Sequence, residues 1–297
     1  MKTPFVSTFP SSPVITQSSD TDYATGRKGE LRLRFAMQNA QTALVESYFR
    51  TPLQVMRPIR DAASCLGVYL LSPAGGVVQG DDYQVNLIAE ANTHALLTTQ
   101  AATKVYRMPA RGASQVVNIE LHQDAVFEYL PDATILFKDA DFRQRVNVTL
   151  HPGAVLMFQE IIMPGRLAQG EVLQFRRYAN KLTVRDSAGL IVYDNACYEP
   201  APDDLSRLGL FDGLPCWGNW YIVGDLDRLH INPDEFCRAY PLPWTDDVRG
   251  SLSPLHRNGL SARILSTSIA PIYEMFTQLW QAVRTQHLGL PAGTLRK

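Results

Sequence analysis

Gln115-Val116-Val117-Asn118-Ile119-Glu120-Leu121-His122 alternates apolar and polar side chains. In an extended chain Val117, Ile119 and Leu121 share one face while Asn118, Glu120 and His122 take the other, which is the signature of a half-buried strand. The same period returns further on. Over residues 145–150, Val146, Val148 and Leu150 oppose Asn147 and Thr149; His151-Pro152-Gly153 then supplies a turn, and another strand is expected over 154–161. Residues 182–184 and 190–192 flank Asp186-Ser187-Ala188-Gly189, where the glycine can adopt the positive φ of a hairpin turn. From Gly29 to about Tyr198 short alternating runs break at Gly, Pro, Asp or Asn, without a repeat of fixed period.

Beyond Tyr198 the texture changes. Pro200, Pro202 and Asp203-Asp204 open a stretch dense in turn residues, and Asn232-Pro233-Asp234-Glu235 combines a cap, a first-turn proline and early acidic charge, so a short helix is expected to start there. Between Pro271 and His287, Ile272, Met275, Phe276, Leu279, Trp280 and Val283 fall on one helical stripe, with Glu274 in the first turn and Arg284 and His287 in the last. Gly289 is placed to stop that helix. The expected fold is mainly β, with many short strands and a few helices, one of them amphipathic near the C-terminus. Long helices do not alternate with strands, which argues against a doubly wound α/β sheet. Periodicity alone leaves sandwich, barrel and β-helix open. Residues 1–28 read as a flexible tail, 29–290 as one domain and 291–297 as a C-terminal tail.

Apolar residues make up 45% and charged residues 19% of the 297, enough for a real core and leaner in charge than the roughly 25% of ordinary soluble chains. That leaves surplus apolar surface for partners. A net charge of -1 gives no broad basic field for nucleic acid or an anionic membrane. The first 20 residues lack the apolar core of a signal peptide, and no apolar run approaches the roughly 18 residues of a membrane span. Cys65, Cys197, Cys216 and Cys237 lie far apart, the spacing of scattered thiols in a reducing cytoplasm rather than of a zinc or redox motif.

Four clusters carry possible chemistry. Residues 73–83 place Gly75, Gly76 and Gly80 before Asp81-Asp82; without a Lys-Ser/Thr ending and a following helix this is no phosphate loop, and it reads as a tight turn or a binding loop. Residues 96–107 gather Thr98, Thr99, Gln100, Thr103, Lys104 and Arg107 in a segment that either lines a polar cavity or is an ordinary threonine-rich strand. Residues 129–142 contain Pro131, Ile135 and Phe137. Glu160 precedes Gly165-Arg166 and Gly170-Glu171, where a turn would present a charge pair.

These clusters, in this order, resemble the urease accessory protein D family (UreD, also UreH). The match is a Pro-x-Gly-Gly segment leading to Gly-Asp (73–81), Leu-Thr-Thr-x-x-Ala-x-Lys-x-Tyr-Arg (97–107), Pro-x-x-x-Ile-x-Phe (131–137), and then Glu160, Gly165-Arg166 and Gly170-Glu171. Residues 259–265 and the segment carrying Trp280 and Arg284 are similar to the family's end, so the resemblance covers about residues 29–290. Ala74, Gln79 and a tail without Pro-Arg-Ile-Trp depart from it. The resemblance implies a β-helix-like body and a non-enzymatic cytoplasmic assembly factor. It implies a complex with the accessory proteins F and G on apo-urease, and Ni2+ in transit through an internal passage, with no tightly bound cofactor. Asp81, Thr98, Thr99, Glu160 and Glu171 are then expected to line or gate the passage, with Lys104, Arg107 and Arg166 as counter-charges.

Two other readings compete. Asp81, Asp82, Glu160 and Glu171 could serve a carbohydrate-active enzyme through paired carboxylates, but no aromatic-rich cleft or nucleophile elbow accompanies them. A pure scaffold would conduct nothing. His94, His122, His151, His230, His256 and His287 show no ligand spacing along the chain, so no tight metal site is assigned.

Overall fold

Alternating strands close onto one another by stacking in register, and here they build two facing sheets. The computed structural model describes residues 26–61, 65–207, 209–293 and 295. Most of the tail expected over 1–28, and part of that over 291–297, lies outside the described residues. The first sheet comprises β1 (Lys28–Gln38), β2 (Gln41–Arg50), β6 (Asp82–Ala89), β9 (Ala113–Leu121), β12 (Asp141–Leu150), β14 (Arg177–Asp186) and β15 (Gly189–Tyr198), ordered β15-β14-β12-β9-β6-β1-β2. The second comprises β3 (Gln54–Val55), β5 (Leu66–Leu71), β7 (His94–Thr99), β10 (Val126–Tyr129), β13 (Val155–Met163), β16 (Cys216–Gly224), β17 (Val248–Pro254) and β18 (Gly259–Ser266), ordered β17-β18-β16-β13-β10-β7-β5-β3. Three short strands join it: β4 (Ile59–Arg60) on β5, and β8 (Thr103–Val105) and β11 (Thr134–Leu136), which pair with each other.

The chain passes between the sheets strand by strand, so β1, β6, β9, β12 and β14 run parallel in one, and β5, β7, β10 and β13 in the other. This is a β-helix-like stack, with β8 and β11 at successive corners. An asparagine ladder marks its outer face: Asn118 Nδ2 donates to Asn86 Oδ1 and Asn147 Nδ2 to Asn118 Oδ1, both at 2.9 Å. Those partners stand 32 and 29 residues apart, and Gln144 and Asn180 one coil further on stand 36 apart, so coils of unequal length leave no fixed period in the sequence. Antiparallel β2, β15 and β16–β18 flank the parallel stack.

Two cores result. Leu33, Val85, Leu87, Val117, Ile119, Val146 and Val148 pack between the sheets. Val155, Met157 and Ile161 on the other face of β13 pack with Ile272, Phe276, Leu279 and Trp280 of α2 (Ile269–Ala282). Covered on both sides, β13 is buried almost throughout, and only Gln159 and Glu160 interrupt its apolar run. The short helix α1 (Pro233–Ala239) starts where expected, with Asn232 Oδ1 accepting from the Asp234 and Glu235 amides. The α2 stripe is as expected, but the helix begins at Ile269, so Glu274 falls beyond its first turn. A π-helical turn (Val283–His287) extends it to Gly289, whose φ is 62°. No helix among the described residues is long and apolar enough to cross a membrane. Cys65 and Cys216 are buried free thiols, whereas Cys197 is exposed.

Candidate functional site

Polar side chains enter the apolar interior at one level of the stack. In the first sheet Val85, Val117, Val146 and Leu182 form an inward row, and one step earlier along each strand the inward positions are Tyr83, Gln115, Gln144 and Asn180, also in register. The amides approach one another along this ladder, Gln115 Nε2 to Gln144 Oε1 at 3.4 Å and Gln144 Nε2 to Asn180 Oδ1 at 3.5 Å. The second sheet and its corners answer with Thr99, Asp132, Thr134, Gln159 and Glu160. With Tyr83, Gln115 and Gln144 they border a cavity of about 340 Å³, with Gly75, Gly76 and Lys104 also in its wall. The Gly76 φ of 152° lets its backbone lie against Lys104, where a Cβ would come within 2.4 Å of the Lys104 carbonyl oxygen.

Of the two carboxylates in this lining, Glu160 is buried and Asp132 half-buried. The relative exposure of Glu160 is 6%, and it accepts hydrogen bonds from Tyr178 Oη at 2.5 Å and Asn219 Nδ2 at 3.1 Å. Burial pushes the carboxyl above the ordinary carboxylate range; bonds from Tyr178 and Asn219 oppose the rise, and the nearby Asp194 charge adds to it. Burial and the Glu160 charge together push the phenols of Tyr129, Tyr178 and Tyr198 upward, so they remain donors at neutral pH. Glu160 also borders a second, small hollow lined with Asn180, Asp194, Tyr198, Asn219 and Arg263. There Asp194 accepts from Tyr221 Oη at 2.6 Å and Arg263 Nη2 at 2.9 Å, and the Arg263 side chain is 60% exposed. Glu160 is thus shared by the lining of the cavity and that of the hollow beside the Asp194–Arg263 pair.

The eight residues singled out in the sequence are distributed unevenly. Thr99, Glu160 and Lys104 line the cavity. Asp81 stands one layer behind it: its carboxylate accepts from the Val78 and Arg27 amides, both at 2.9 Å, and from Tyr83 Oη at 2.5 Å, so it positions the Tyr83 ring that lines the wall. Thr98 alternates to the opposite face of β7 from Thr99 and donates to the Leu130 carbonyl at 2.6 Å. Glu171 clamps the loop between β13 and β14, accepting from the Lys138 amide at 2.5 Å and from Arg166 Nε at 2.8 Å. Arg166 therefore pairs with Glu171, while the exposed Arg107 pairs with Asp139 at 3.1 Å.

Gln115, Gln144, Gln159, Asn180 and Asn219 carry no motif, yet three of them left a signal. Gln115, Gln144 and Asn180 each occupy the apolar parity of their strand, two residues before the Val117, Val146 and Leu182 row. A polar residue at the same place in three successive strands marks a polar layer. Missed as well was a network under α2. Glu128, fully buried, accepts from Trp280 Nε1 at 2.6 Å and Arg284 Nη1 at 2.7 Å, lies 2.6 Å from His94 Nε2, and Arg284 also bonds Asp61. Arg284 is thus 1% exposed rather than a solvent-facing cation at a helix end.

Chemically, the cavity offers one buried carboxylate, carboxamides, hydroxyls and phenols, all weak ligands for a divalent ion. Comparison with known proteins gives the chain its relatives. The family described as "UreD urease accessory protein" matches residues 27–297. The chain is 31% identical to urease accessory protein UreD of Acaryochloris marina over 264 residues, covering 89% of this chain and 92% of that protein. It is 35% identical to UreD 2 of Streptomyces griseus over 276 residues (91% and 93%) and 31% identical to UreD of Bacillus sp. TB-90 over 275 (91% and 98%).

Proposed function

The chain belongs to the UreD family of urease accessory proteins, and from that premise we propose that it acts in urease maturation without turnover of its own, passing Ni2+ through its interior. Its partners in this reading are the accessory proteins F and G and apo-urease, and its setting is the cytoplasm. The observation that carries the reading is Glu160, a buried carboxylate bordering both the 340 Å³ cavity and the hollow that leads to Asp194 and Arg263.

A dehydrated divalent ion in an apolar interior is very unfavourable, so a route must keep water or supply oxygen ligands along its length. Thr99, Gln115, Gln144, Asn180 and the tyrosines meet that need, and Glu160 supplies charge where it borders both the cavity and the hollow. With its carboxyl raised by burial, Glu160 holds a proton more readily than an exposed glutamate does. An arriving cation displaces that proton and its departure lets the proton return. Neutral oxygens with the carboxylates of Glu160 and Asp132 bind nickel weakly enough to release it, whereas clustered imidazoles and thiolates would retain it. Asp81 and Glu171 act on this route at one remove, through Tyr83 and through the β13–β14 loop.

The test blocks the cavity without changing its charge. Thr99→Leu combined with Gln144→Leu fills the polar layer with apolar side chains. Assembly with F, G and apo-urease is expected to survive while the nickel content of urease falls at least tenfold. Wild-type nickel content would exclude this cavity as the route. Loss of assembly together with nickel would assign these residues to the fold or interface instead.

A further inference from the structure

We propose that Glu120, His122 and His151 form a binding site for a divalent first-row transition-metal ion on the outer face of the first sheet, separate from the interior cavity. Chain spacing hides it, because coil stacking creates it. Leu121 pairs with Leu150 at the end of β9 and β12, so His122 and His151 are the next rung of that ladder. The backbone fixes both: His122 N donates to the Ala89 carbonyl at 2.9 Å and His151 N to the Leu121 carbonyl at 2.8 Å. Their imidazole centroids lie 4.9 Å apart. Glu120, two residues before His122, projects from the same face of β9.

His151 Nε2 and Glu120 Oε1 share a long hydrogen bond, and the spacing of the three groups also suits a shared metal ion. His122 Nε2 and His151 Nε2 lie 3.3 and 3.2 Å from the same Glu120 Oε1. A charge-assisted N–H···O bond closes to roughly 2.7–2.9 Å. Adjacent ligands of a four-coordinate ion with bonds of about 2.0–2.1 Å stand roughly 3.3 Å apart. The three ligand atoms all lie within 4.8 Å of one another, so small rotations about the side-chain bonds complete the site, with water in the open position. Two imidazoles and one carboxylate suit Zn2+, Ni2+ or Co2+ better than Mg2+ or Ca2+. Side-chain exposures of 40–47% leave the site open to solution. The neighbouring charges are Glu90, which Arg34 already holds at 2.9 Å, and Arg185, which sits opposite Thr149 on β14. The other grouping, Cys65, His94 and Glu128, differs in kind: Arg284 already neutralises Glu128, and burial pushes the Cys65 thiol well up, away from the thiolate that binds metal.

Equilibrium dialysis of the full chain against Zn2+, and titration with Co2+ followed by its visible absorption, test the site. Wild-type protein is expected to bind one equivalent at micromolar metal near pH 7.5. His122→Ala with His151→Ala removes that equivalent and the Co2+ band, as does the milder His151→Asn, while the melting temperature of the metal-free protein stays unchanged. Glu160→Gln leaves this equivalent in place, which keeps the test independent of the passage. An undiminished equivalent in the double variant, or wild-type binding only at millimolar metal, overturns the proposal.

Discussion

Replacing Arg284 by leucine should be among the most damaging single changes in the protein, because it strands a carboxylate that has no access to water. Arg284 is 1% exposed and Glu128 fully buried, and their 2.7 Å bond joins the end of α2 to β10 across the second core. Leucine keeps an apolar contact with Trp280 in place of the guanidinium that lies 5.3 Å from that ring. Glu128 retains the Trp280 indole and His94, both at 2.6 Å, but loses its full positive charge. Breaking one side of a buried ion pair costs roughly 3–5 kcal/mol. For a domain of this size each kcal/mol lowers Tm by about 2–4 °C, so a drop on the order of 10 °C is expected. Thermal melts followed by circular dichroism read it directly. The double variant Glu128→Gln, Arg284→Leu should recover part of the loss, since the stranded charge is gone. A single variant melting within about 2 °C of wild type, or a double variant whose loss is the sum of both singles, would refute this account.

Asp141, buried on β12, accepts from Arg176 Nη2 at 2.8 Å and Arg177 Nη2 at 2.7 Å. Burial raises its carboxyl, but the bonds and charges of Arg177 and Arg176 outweigh it and leave the pKa below the usual value. That stabilisation is present above the unfolded value near pH 4 and lost as pH falls through the folded one. Asp141→Asn should therefore cost on the order of 2 kcal/mol at pH 7, and the gap in urea midpoints should narrow below pH 4; a gap independent of pH would contradict this. Gly76→Ala forces a Cβ to within 2.4 Å of the Lys104 carbonyl at a φ of 152°, beside the 2.7 Å bond from Val77 N to that oxygen. A loss of roughly 2 kcal/mol is expected, and an unchanged urea midpoint would show that the rim is not tightly packed.

How much of this was legible follows from what each element depends on. Val117, Ile119, Leu121, Val146, Val148 and Leu150 are buried as their alternation requires, and Asn232, Gly153, Gly189 and Gly289 sit at the caps and turns they were expected to serve. These are local properties of a few consecutive residues. The coil stack was not local: spacings of 32, 29 and 36 residues erase any period, and only register reveals that Asn86, Asn118 and Asn147 touch. Side-chain direction also escaped motif reading, since Thr98 and Thr99 are adjacent yet face opposite sides of β7. Arg284 was placed at the right end of the right helix, but its partner Glu128 lies 156 residues away, a contact no helical pattern encodes.

The central claim rests on Glu160 carrying a cation through the interior rather than supporting the fold, and Glu160→Gln separates the two. Glutamine keeps the shape and an oxygen that accepts from Tyr178. Because burial raises the native carboxyl, its ionised form costs stability as pH rises through the shifted value, so the variant should melt at or slightly above wild type at neutral pH. Purified complexes of either protein with F, G and apo-urease would be loaded with radioactive nickel, and the metal reaching urease counted after gel filtration. The account predicts intact complexes with a tenfold or greater fall in nickel transferred by the glutamine variant. Undiminished transfer, or a fall that merely tracks lost stability or lost assembly, would contradict it.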